Sequence, residues 1–265
     1  MLRIAVSGSA GRMGKTLIQA VYESQGVELT HSVEVPGHDS IGSDAGLLSG
    51  VGDIGVEVKD SLDTDLFDVL IEFTTPEATM QHVAKCAAEG KDVVLGTTGL
   101  TEENLNQLQE AAKEIRVVAA PNMSVGVNLC FKLLQMAAET FGDSVDVEVI
   151  EAHHRAKVDA PSGTALKMGE VVAETLGRSI QEHGQFVRHG RTGARGDKTI
   201  GFATIRAGDI VGEHTVMFAA PGERVEITHR SSSRMNYANG SVRAALWLVT
   251  RPPGLYQMTD VLGFD

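Results

Sequence analysis

The chain has 265 residues, of which 42% are hydrophobic, and its formal net charge is −12 at pH 7. This composition is typical of a globular protein and excludes a disordered or fibrous chain, and the acidic balance argues against a nucleic-acid partner. No apolar run reaches the roughly 18 residues of a membrane span, and the short apolar N-terminus lacks the features of a secretory signal. We therefore expect a cytoplasmic protein that acts on small molecules.

Short apolar runs, typical of buried parallel strands, alternate with helical patterns in the N-terminal half. Helix starts are predicted near Lys15, at Thr75 and at Thr101, the last two with an N-cap residue and an early acid. Residues 36–55 are rich in glycine and serine and are predicted to form a long loop. Strands are predicted at residues 2–7, 27–34, 56–58, 69–73, 92–95 and 116–120. This alternation predicts an α/β fold with a doubly wound parallel sheet.

The pattern changes after residue 123. A helix is predicted over residues 125–141, and a second over 237–249. Between them, Pro221 and Gly222 predict a hairpin turn. Segments that alternate apolar and polar residues, as strands with one solvated face do, occupy residues 145–153, 199–206, 214–220 and 225–229. This part predicts an α+β domain with an open sheet.

A glycine-rich turn joins the first predicted strand to the first helix. Its spacing, Gly8-x-x-Gly11-x-x-Gly14, departs from the common G-x-G-x-x-G of dinucleotide-binding turns. Glu34 closes the second strand about twenty residues later, where an acid can accept hydrogen bonds from ribose hydroxyls. The pair predicts a dinucleotide site, although a tight turn that only packs the helix has the same spacing.

A second interpretation of this turn is a P-loop. Gly14-Lys15-Thr16 matches the end of the motif G-x-x-x-x-G-K-[ST], but its first glycine would fall at position 9, which is Ser9. No downstream acid is an evident Mg²⁺ ligand. A P-loop nucleotide hydrolase is thus one alternative function, and a dinucleotide-sensing protein without catalytic activity is another.

The segment Glu151–Ala165 concentrates positive charge, with two histidines, an arginine and a lysine at positions 153–157. Such a concentration is costly in self-repulsion unless an anion lies among the cations. The following Pro161–Thr164 predicts a helix start, which itself binds anions. We infer a pocket for a small, multiply negative substrate, in which histidine and lysine can move protons. No metal is expected between His153 and His154, because adjacent strand residues face opposite sides.

With these features the chain resembles the 4-hydroxy-tetrahydrodipicolinate reductases, formerly called dihydrodipicolinate reductases, nearly from end to end. The runs that carry the resemblance are His153-His154-x-x-Lys157-x-Asp159-Ala160-Pro161-Ser162-Gly163-Thr164-Ala165, Gly96-Thr97-Thr98-Gly99 and residues 200–214. The resemblance implies NAD(P)H-dependent reduction of 4-hydroxy-2,3,4,5-tetrahydrodipicolinate, a small cyclic dicarboxylate, to tetrahydrodipicolinate with loss of water. This reaction belongs to diaminopimelate and lysine biosynthesis.

The resemblance also implies a domain organisation. A Rossmann-type dinucleotide-binding domain is expected to comprise residues 1–124 and 234–265. A C-terminal α+β domain, residues 125–233, is expected to bind the substrate. The open mixed sheet of this second domain is implied to help build a homotetramer.

The site residues implied by the resemblance fall into three groups. His153 matches the proton donor and acceptor, and Lys157 matches a second proton donor. His154 matches a substrate contact, while Gly163 and Thr164 match the carboxylate-binding helix start. The cofactor contacts matched are Gly8, Ser9, Ala10, Gly11, Arg12, Met13, Glu34, Gly96, Thr97, Thr98, Ala120, Pro121, Asn122 and Met123. No metal is implied.

One position departs from the pattern of family members that use NADPH well. These often carry a basic residue directly after the acid that ends the second strand, and here that residue is Val35. Glu34 without this cation is expected to repel a 2′-phosphate, for which Arg12 and Lys15 compensate only in part. We therefore expect both cofactors to be used, with NADH preferred.

Overall fold

The computed structural model describes residues 1–264 and divides the chain into two compact units. The first unit comprises Met1–Val125 together with the segment that begins at Arg234, and the second comprises Gly126–Ser233. Each unit has a hydrophobic core of its own.

The regular elements are numbered along the chain. The strands are β1 (Leu2–Ser7), β2 (Val27–Val33), β3 (Val58–Lys59), β4 (Val69–Glu72), β5 (Asp92–Leu95), β6 (Arg116–Ala119), β7 (Asp146–His153), β8 (Gly184–Gln185), β9 (Ile200–Arg206), β10 (Gly212–Ala220), β11 (Glu223–Ser231) and β12 (Gly254–Tyr256). The helices are α1 (Arg12–Glu23), α2 (Ala45–Ser49), α3 (Pro76–Ala88), α4 (Glu102–Ala111), α5 (Val125–Phe141), α6 (Gly163–Thr175), α7 (Ile180–His183), α8 (Met235–Leu248) and α9 (Met258–Leu262). None of the helices within residues 1–264 is both long and apolar enough to span a membrane.

The first unit is built on a parallel sheet. Over the described residues this sheet has seven strands in the order β12-β6-β5-β4-β1-β2-β3. The chain passes outward from β1 through β2 to β3, then returns to place β4 on the other side of β1. Every residue of β4 and β5 is buried, as expected for strands covered on both faces. The predicted doubly wound, Rossmann-type sheet is confirmed, and its order places a ligand crevice at the carboxyl ends of β1 and β4.

The second unit contains a mixed sheet in the order β11-β10-β7-β9-β8. Strand β10 runs antiparallel to both β7 and β11, whereas β9 is parallel to β7 and β8. Alternate residues of β7 and β10 enter the core with residues of α5 and α6; they include Leu134, Ala138, Val147, Val149, Met168, Val172, Val216 and Phe218. Strand β11 is largely exposed. The predicted α+β unit with an open mixed sheet is therefore confirmed.

The structure differs from the sequence-based prediction in several short elements. Residues 36–55, predicted as a loop, contain α2, whose cap Asp44 accepts hydrogen bonds from the N–H groups of Gly46 and Leu47. The short strand expected at residues 56–58 is Val58–Lys59. Strands β8 and β12 and helices α7 and α9 are not predicted from sequence, because two to five residues are too few to show a period.

Candidate active site

The glycine-rich turn follows β1 and packs tightly against the start of α1. A Cβ atom at Gly14 would lie 2.1 Å from the carbonyl oxygen of Gly8, so only glycine allows this close approach. Gly8 adopts a left-handed backbone with a φ of 65°. Gly11 caps α1 without a side chain, so no capping side chain occupies the first N–H groups of the helix. The backbone of the glycine-rich turn and the N-terminus of α1 together fit a pyrophosphate.

Two hydroxyls in this turn bear on the P-loop alternative. Ser9 is buried, and its Oγ lies 3.0 Å from the carbonyl oxygen of Val33 and 2.7 Å from Oγ of Ser32. Its N–H also donates to the carbonyl of Val33, at 3.1 Å, so the N–H and the hydroxyl of Ser9 are both engaged within the first unit. Thr16, whose hydroxyl would hold Mg²⁺ in a P-loop, donates instead to the carbonyl of Arg12 at 2.9 Å. The geometry does not support a P-loop.

Glu34 directly follows β2, and its carboxylate reaches the glycine-rich turn. Oε2 accepts a hydrogen bond from the N–H of Ala10 at 2.8 Å, and Oε1 accepts from the N–H of Val35 at 2.9 Å. The carboxylate thus joins the end of β2 to the turn after β1. The Val35 side chain itself is 61% exposed.

A buried carboxylate that the sequence does not single out lies at the carboxyl ends of β1 and β4. Glu72 is fully buried, accepts from Ser7 Oγ at 2.7 Å and from the N–H of Thr74 at 2.9 Å, and has His82 Nδ1 at 2.6 Å. Burial opposes its ionisation, but these hydrogen bonds outweigh it and lower the pKa of Glu72. The methyl group of Thr74 packs so closely against Gly8 that it would clash with a Cβ atom there. The cluster around Glu72 therefore contacts the glycine-rich turn through Thr74.

The other predicted cofactor residues follow β5 and β6 at the same edge of the sheet. Residues 96–98 follow β5, and the buried Thr97 has its Oγ1 2.8 Å from Oγ1 of Thr79. Residues 120–123 follow β6, where the N–H of Ala120 donates to the carbonyl of Leu95 at 3.0 Å. Since carboxyl ends of parallel strands share one edge, the structure brings all predicted cofactor residues to that edge of the first unit.

The predicted proton-transfer histidine lies in the second unit, at the end of β7. His153 is buried, and its Nδ1 lies 2.6 Å from Oε2 of Glu151. Arg206, paired with His153 across the parallel strand β9, donates to both oxygens of the same carboxylate at 2.7 and 2.8 Å. The N–H of Ser162 donates to Oε1 of Glu151 at 3.1 Å. Glu151 therefore joins β7, β9 and the start of α6.

Carboxylates of the chain itself pair with two cationic residues of the positive segment, His153 and Lys157. Glu151 faces His153 and Arg206, and the Nζ atom of Lys157 lies 2.8 Å from Oδ1 of Asp159. Anions do lie among these cations, but they are side chains of the protein, and the predicted substrate pocket stays a prediction. Charge alone therefore does not identify this segment as a substrate pocket.

The predicted helix start is confirmed as the N-terminus of α6, with Ser162 as its N-cap. Its Oγ accepts from the N–H of Ala165 at 3.2 Å and lies 2.9 Å from Nε2 of His214. The ring of His214 packs edge-on against that of His153, with centroids 5.0 Å apart. Gly163, in the first turn of α6, is exposed. The helix start and the histidine of β7 thus belong to one cluster.

The segment after β7 forms turns that carry the remaining predicted residues. The N–H of Lys157 donates to the carbonyl of His154 at 3.1 Å, and the N–H of Arg155 donates to the carbonyl of Gly208 at 3.1 Å. Arg195, in the loop between β8 and β9, forms ion pairs within the second unit, with Asp146 at 2.8 Å and with Glu148 of β7 at 3.0 Å. Within residues 1–264, no three His, Cys, Asp or Glu side chains are arranged to hold a metal ion.

Family models match both parts of the chain. The model for the N-terminus of dihydrodipicolinate reductase matches residues 2–123, and the model for its C-terminus matches residues 126–262. The chain belongs to the dihydrodipicolinate reductase family. It is thus an NAD(P)H-dependent oxidoreductase with this reductase role in lysine biosynthesis, as the resemblance implied.

Solved structures agree with this assignment. The chain is 26% identical to dipicolinate-bound dihydrodipicolinate reductase from Paenisporosarcina sp. TG-14, with a TM-score of 0.78 and 98% of each chain covered. GenD2 from gentamicin A biosynthesis, in complex with NAD, is 16% identical, with a TM-score of 0.62 over 98% of this chain and 90% of that one. An amine dehydrogenase from Mycobacterium smegmatis is 14% identical, with a TM-score of 0.59 over 97% and 95%. The last two show the fold alone.

Burial sets the protonation states at the dihydrodipicolinate reductase site. Burial, with the neighbouring His153, lowers the pKa of His214 to about 4, so this ring is neutral at pH 7. Burial also lowers the pKa of His153, against the raising effect of Glu151. For Glu151 burial opposes ionisation, yet the hydrogen bonds from Arg206 and His153 prevail and lower its pKa. The cluster therefore holds a carboxylate beside a ring that can take up a proton.

Three members of this cluster, Glu151, Arg206 and His214, are not among the site residues predicted from the sequence. Glu151 shares the inward face of β7 with His153, because residues two apart in a strand face the same side. An acidic residue on the inward face of a predicted strand is the one local feature of the sequence that could have identified Glu151 as part of the site. Arg206 and His214 reach the cluster only through the pairing of β9 and β10 with β7.

Proposed function

We propose that His153 and Lys157 are the proton-transfer groups of this dihydrodipicolinate reductase. Addition of a hydride to a conjugated ring leaves a carbanion-like atom that needs a proton, and histidine titrates in the suitable range. The single observation that supports His153 most directly is its 2.6 Å contact with the buried carboxylate of Glu151. Rates of NADH oxidation by His153→Gln and Lys157→Ala variants test the proposal, and near-full activity in both would exclude it.

The substrate is a dicarboxylate and therefore needs cations and N–H donors. We propose that Lys157, His154 and the start of α6 at Gly163 and Thr164 supply them. Lys157 is paired with Asp159, whose side chain is 53% exposed, so a substrate carboxylate competes with a solvated partner. The dipicolinate bound to the related reductase from Paenisporosarcina supports a cyclic dicarboxylate as the ligand.

We propose that the first unit binds the dinucleotide and that the second unit binds the substrate. The start of α1, which has no capping side chain, and the close packing of the turn against Gly14 fit a pyrophosphate, and Glu34 is suited to accept from ribose hydroxyls. The nicotinamide, when bound, supplies the hydride. The remaining residues proposed to contact the cofactor are those of the turn and the strand ends, namely Gly8, Ser9, Ala10, Gly11, Arg12, Met13, Gly96, Thr97, Thr98, Ala120, Pro121, Asn122 and Met123.

We further propose that the reaction needs no metal and that the enzyme is a cytoplasmic homotetramer. The exposed strand β11 at the edge of the mixed sheet supports a subunit contact of the second unit. Light scattering on the purified protein measures this assembly, and a monomer at micromolar concentration would contradict it.

NADH is expected to give a higher kcat/KM than NADPH. The carboxylate of Glu34 repels a 2′-phosphate, and the following residue, Val35, brings no charge to offset it. Val35→Arg should raise kcat/KM for NADPH about fivefold, because one partly solvated charge contributes about 1 kcal/mol.

Steady-state kinetics with both cofactors check this expectation, and Val35→Gln is the matched control, since it adds a long polar side chain without charge. A wild-type preference for NADPH of about tenfold or more, equivalent to about 1.4 kcal/mol, would contradict the proposed preference.

A further inference from the structure

We propose that Glu151 is a positioning residue for His153: its carboxylate, fixed by Arg206 and the start of α6, orients the imidazole so that Nε2 exchanges the proton. This proposal rests on the proposed proton-transfer role of His153 and assigns the residue that makes that role possible.

Burial and several hydrogen bonds fix the position of the Glu151 carboxylate. Its side chain is only 1% exposed. Two hydrogen bonds from Arg206 reach one oxygen each, and the N–H of Ser162 reaches Oε1. A bidentate guanidinium pair fixes the plane of a carboxylate as well as its distance. The oxygen that faces Nδ1 of His153 at 2.6 Å therefore cannot turn away without breaking several other hydrogen bonds.

This contact determines which nitrogen of His153 carries the proton. An ionised carboxylate only accepts hydrogen bonds, so Nδ1 keeps its proton whether the ring is neutral or charged. Nε2 is then the atom that gains and loses the second proton. A Cβ atom at Gly212 would lie 3.1 Å from this Nε2, so glycine at this position adds no side chain that would crowd Nε2.

The charges that face His153 come from three strands and the turn after β7. Burial has the largest effect and lowers the pKa of His153, and Lys157 and Arg206 lower it further. Glu151 is the group that raises it. His214, on β10, is neutral at pH 7 because burial lowers its pKa to about 4. Arg206 holds Glu151 in its ionised form, and Glu151 in turn favours the protonated imidazole.

Removal of the carboxylate charge should therefore change the pH dependence of the reaction. As a proton donor His153 must be charged, so kcat/KM falls as the pH rises through its pKa. In Glu151→Gln the raising interaction is lost, and the fall should begin about 1–3 pH units lower, the range typical of a close opposite charge. Glu151→Asp keeps the charge and should restore most of the wild-type profile.

A suitable control is Glu148→Gln. Glu148 lies on the same strand and, like Glu151, is paired with cationic side chains, here Arg188 at 2.7 Å and Arg195 at 3.0 Å. It faces the opposite side of β7, since it is an odd number of residues from Glu151. This variant should leave the pH at which kcat/KM falls unchanged, so that a shift confined to Glu151→Gln reports on His153 rather than on lost ion pairing in general.

The experiment measures kcat/KM against pH for these variants and follows the imidazole nitrogens of His153 by NMR. The proposal predicts that wild-type Nδ1 stays protonated while Nε2 titrates. It is overturned if neutral His153 in the wild type carries its proton on Nε2, a result that does not depend on the folding of any variant. It is also overturned if folded Glu151→Gln keeps the wild-type pH profile. If His153→Gln is instead fully active, the proton-transfer role itself fails.

Discussion

Replacement of His153 by glutamine is expected to lower kcat about 10²–10⁴-fold, the usual contribution of a positioned acid. Glutamine keeps hydrogen-bonding atoms near Glu151 but has no group that titrates in this range. The carbanion-like atom formed by hydride addition then has to take its proton from water. Steady-state oxidation of NADH with synthase-generated substrate measures the loss.

His189→Gln serves as the control for this prediction. His189 is an exposed histidine of the same unit and belongs to none of the contacts around Glu151 described above. Its substitution should leave kcat and KM close to wild type. Because the proposed cofactor residues belong to the other unit, His153→Gln should still bind NADH with wild-type affinity. Wild-type turnover in His153→Gln would show that another group donates the proton.

Substitution of Gly14 by alanine is expected to abolish tight NADH binding and to lower the free energy of unfolding by about 1–3 kcal/mol, the typical cost of overpacking. The new Cβ would lie 2.1 Å from the carbonyl oxygen of Gly8 and 2.8 Å from Cα of Ser9. Both are backbone atoms, so α1 and the turn have to separate. Fluorescence titration with NADH and denaturant unfolding measure the two effects.

Thr16→Ala is the matched control on the same helix. Its hydroxyl bonds to the carbonyl of Arg12, within the first turns of α1. Loss of this bond should change stability by no more than about 0.5 kcal/mol and leave the activity unchanged. If Gly14→Ala binds NADH as the wild type does, the turn is not the pyrophosphate site. If Thr16→Ala loses activity, the P-loop interpretation regains support.

The parallel sheet could be predicted because its central strands are short apolar runs between turn residues. Strands β4 and β5 are buried along their whole length, which a continuous apolar run predicts directly. Strand β12 could not be predicted in this way. Its three residues are a strand only because they pair with β6, and that pairing depends on tertiary structure.

The site could be predicted in part, because some of its residues lie close together in the sequence. His153, Lys157 and Ser162 lie in one segment, so their spacing is visible in the sequence. Arg206 lies 55 residues beyond Glu151, and His214 lies 52 residues beyond Ser162; only strand pairing brings these groups together. The sequence shows the cationic residues of positions 153–157, but only the structure shows that Glu151 pairs with His153 and Asp159 with Lys157.

The most direct test is NADH oxidation by the purified wild-type chain and by Lys157→Ala, with synthase-generated 4-hydroxy-tetrahydrodipicolinate as the substrate. We predict that wild-type oxidation requires this substrate and that the variant is slower by about 10²-fold or more, since it lacks both a proton donor and a carboxylate contact. A wild-type chain that does not oxidise NADH with this substrate would contradict the account, as would near-full activity in both Lys157→Ala and His153→Gln.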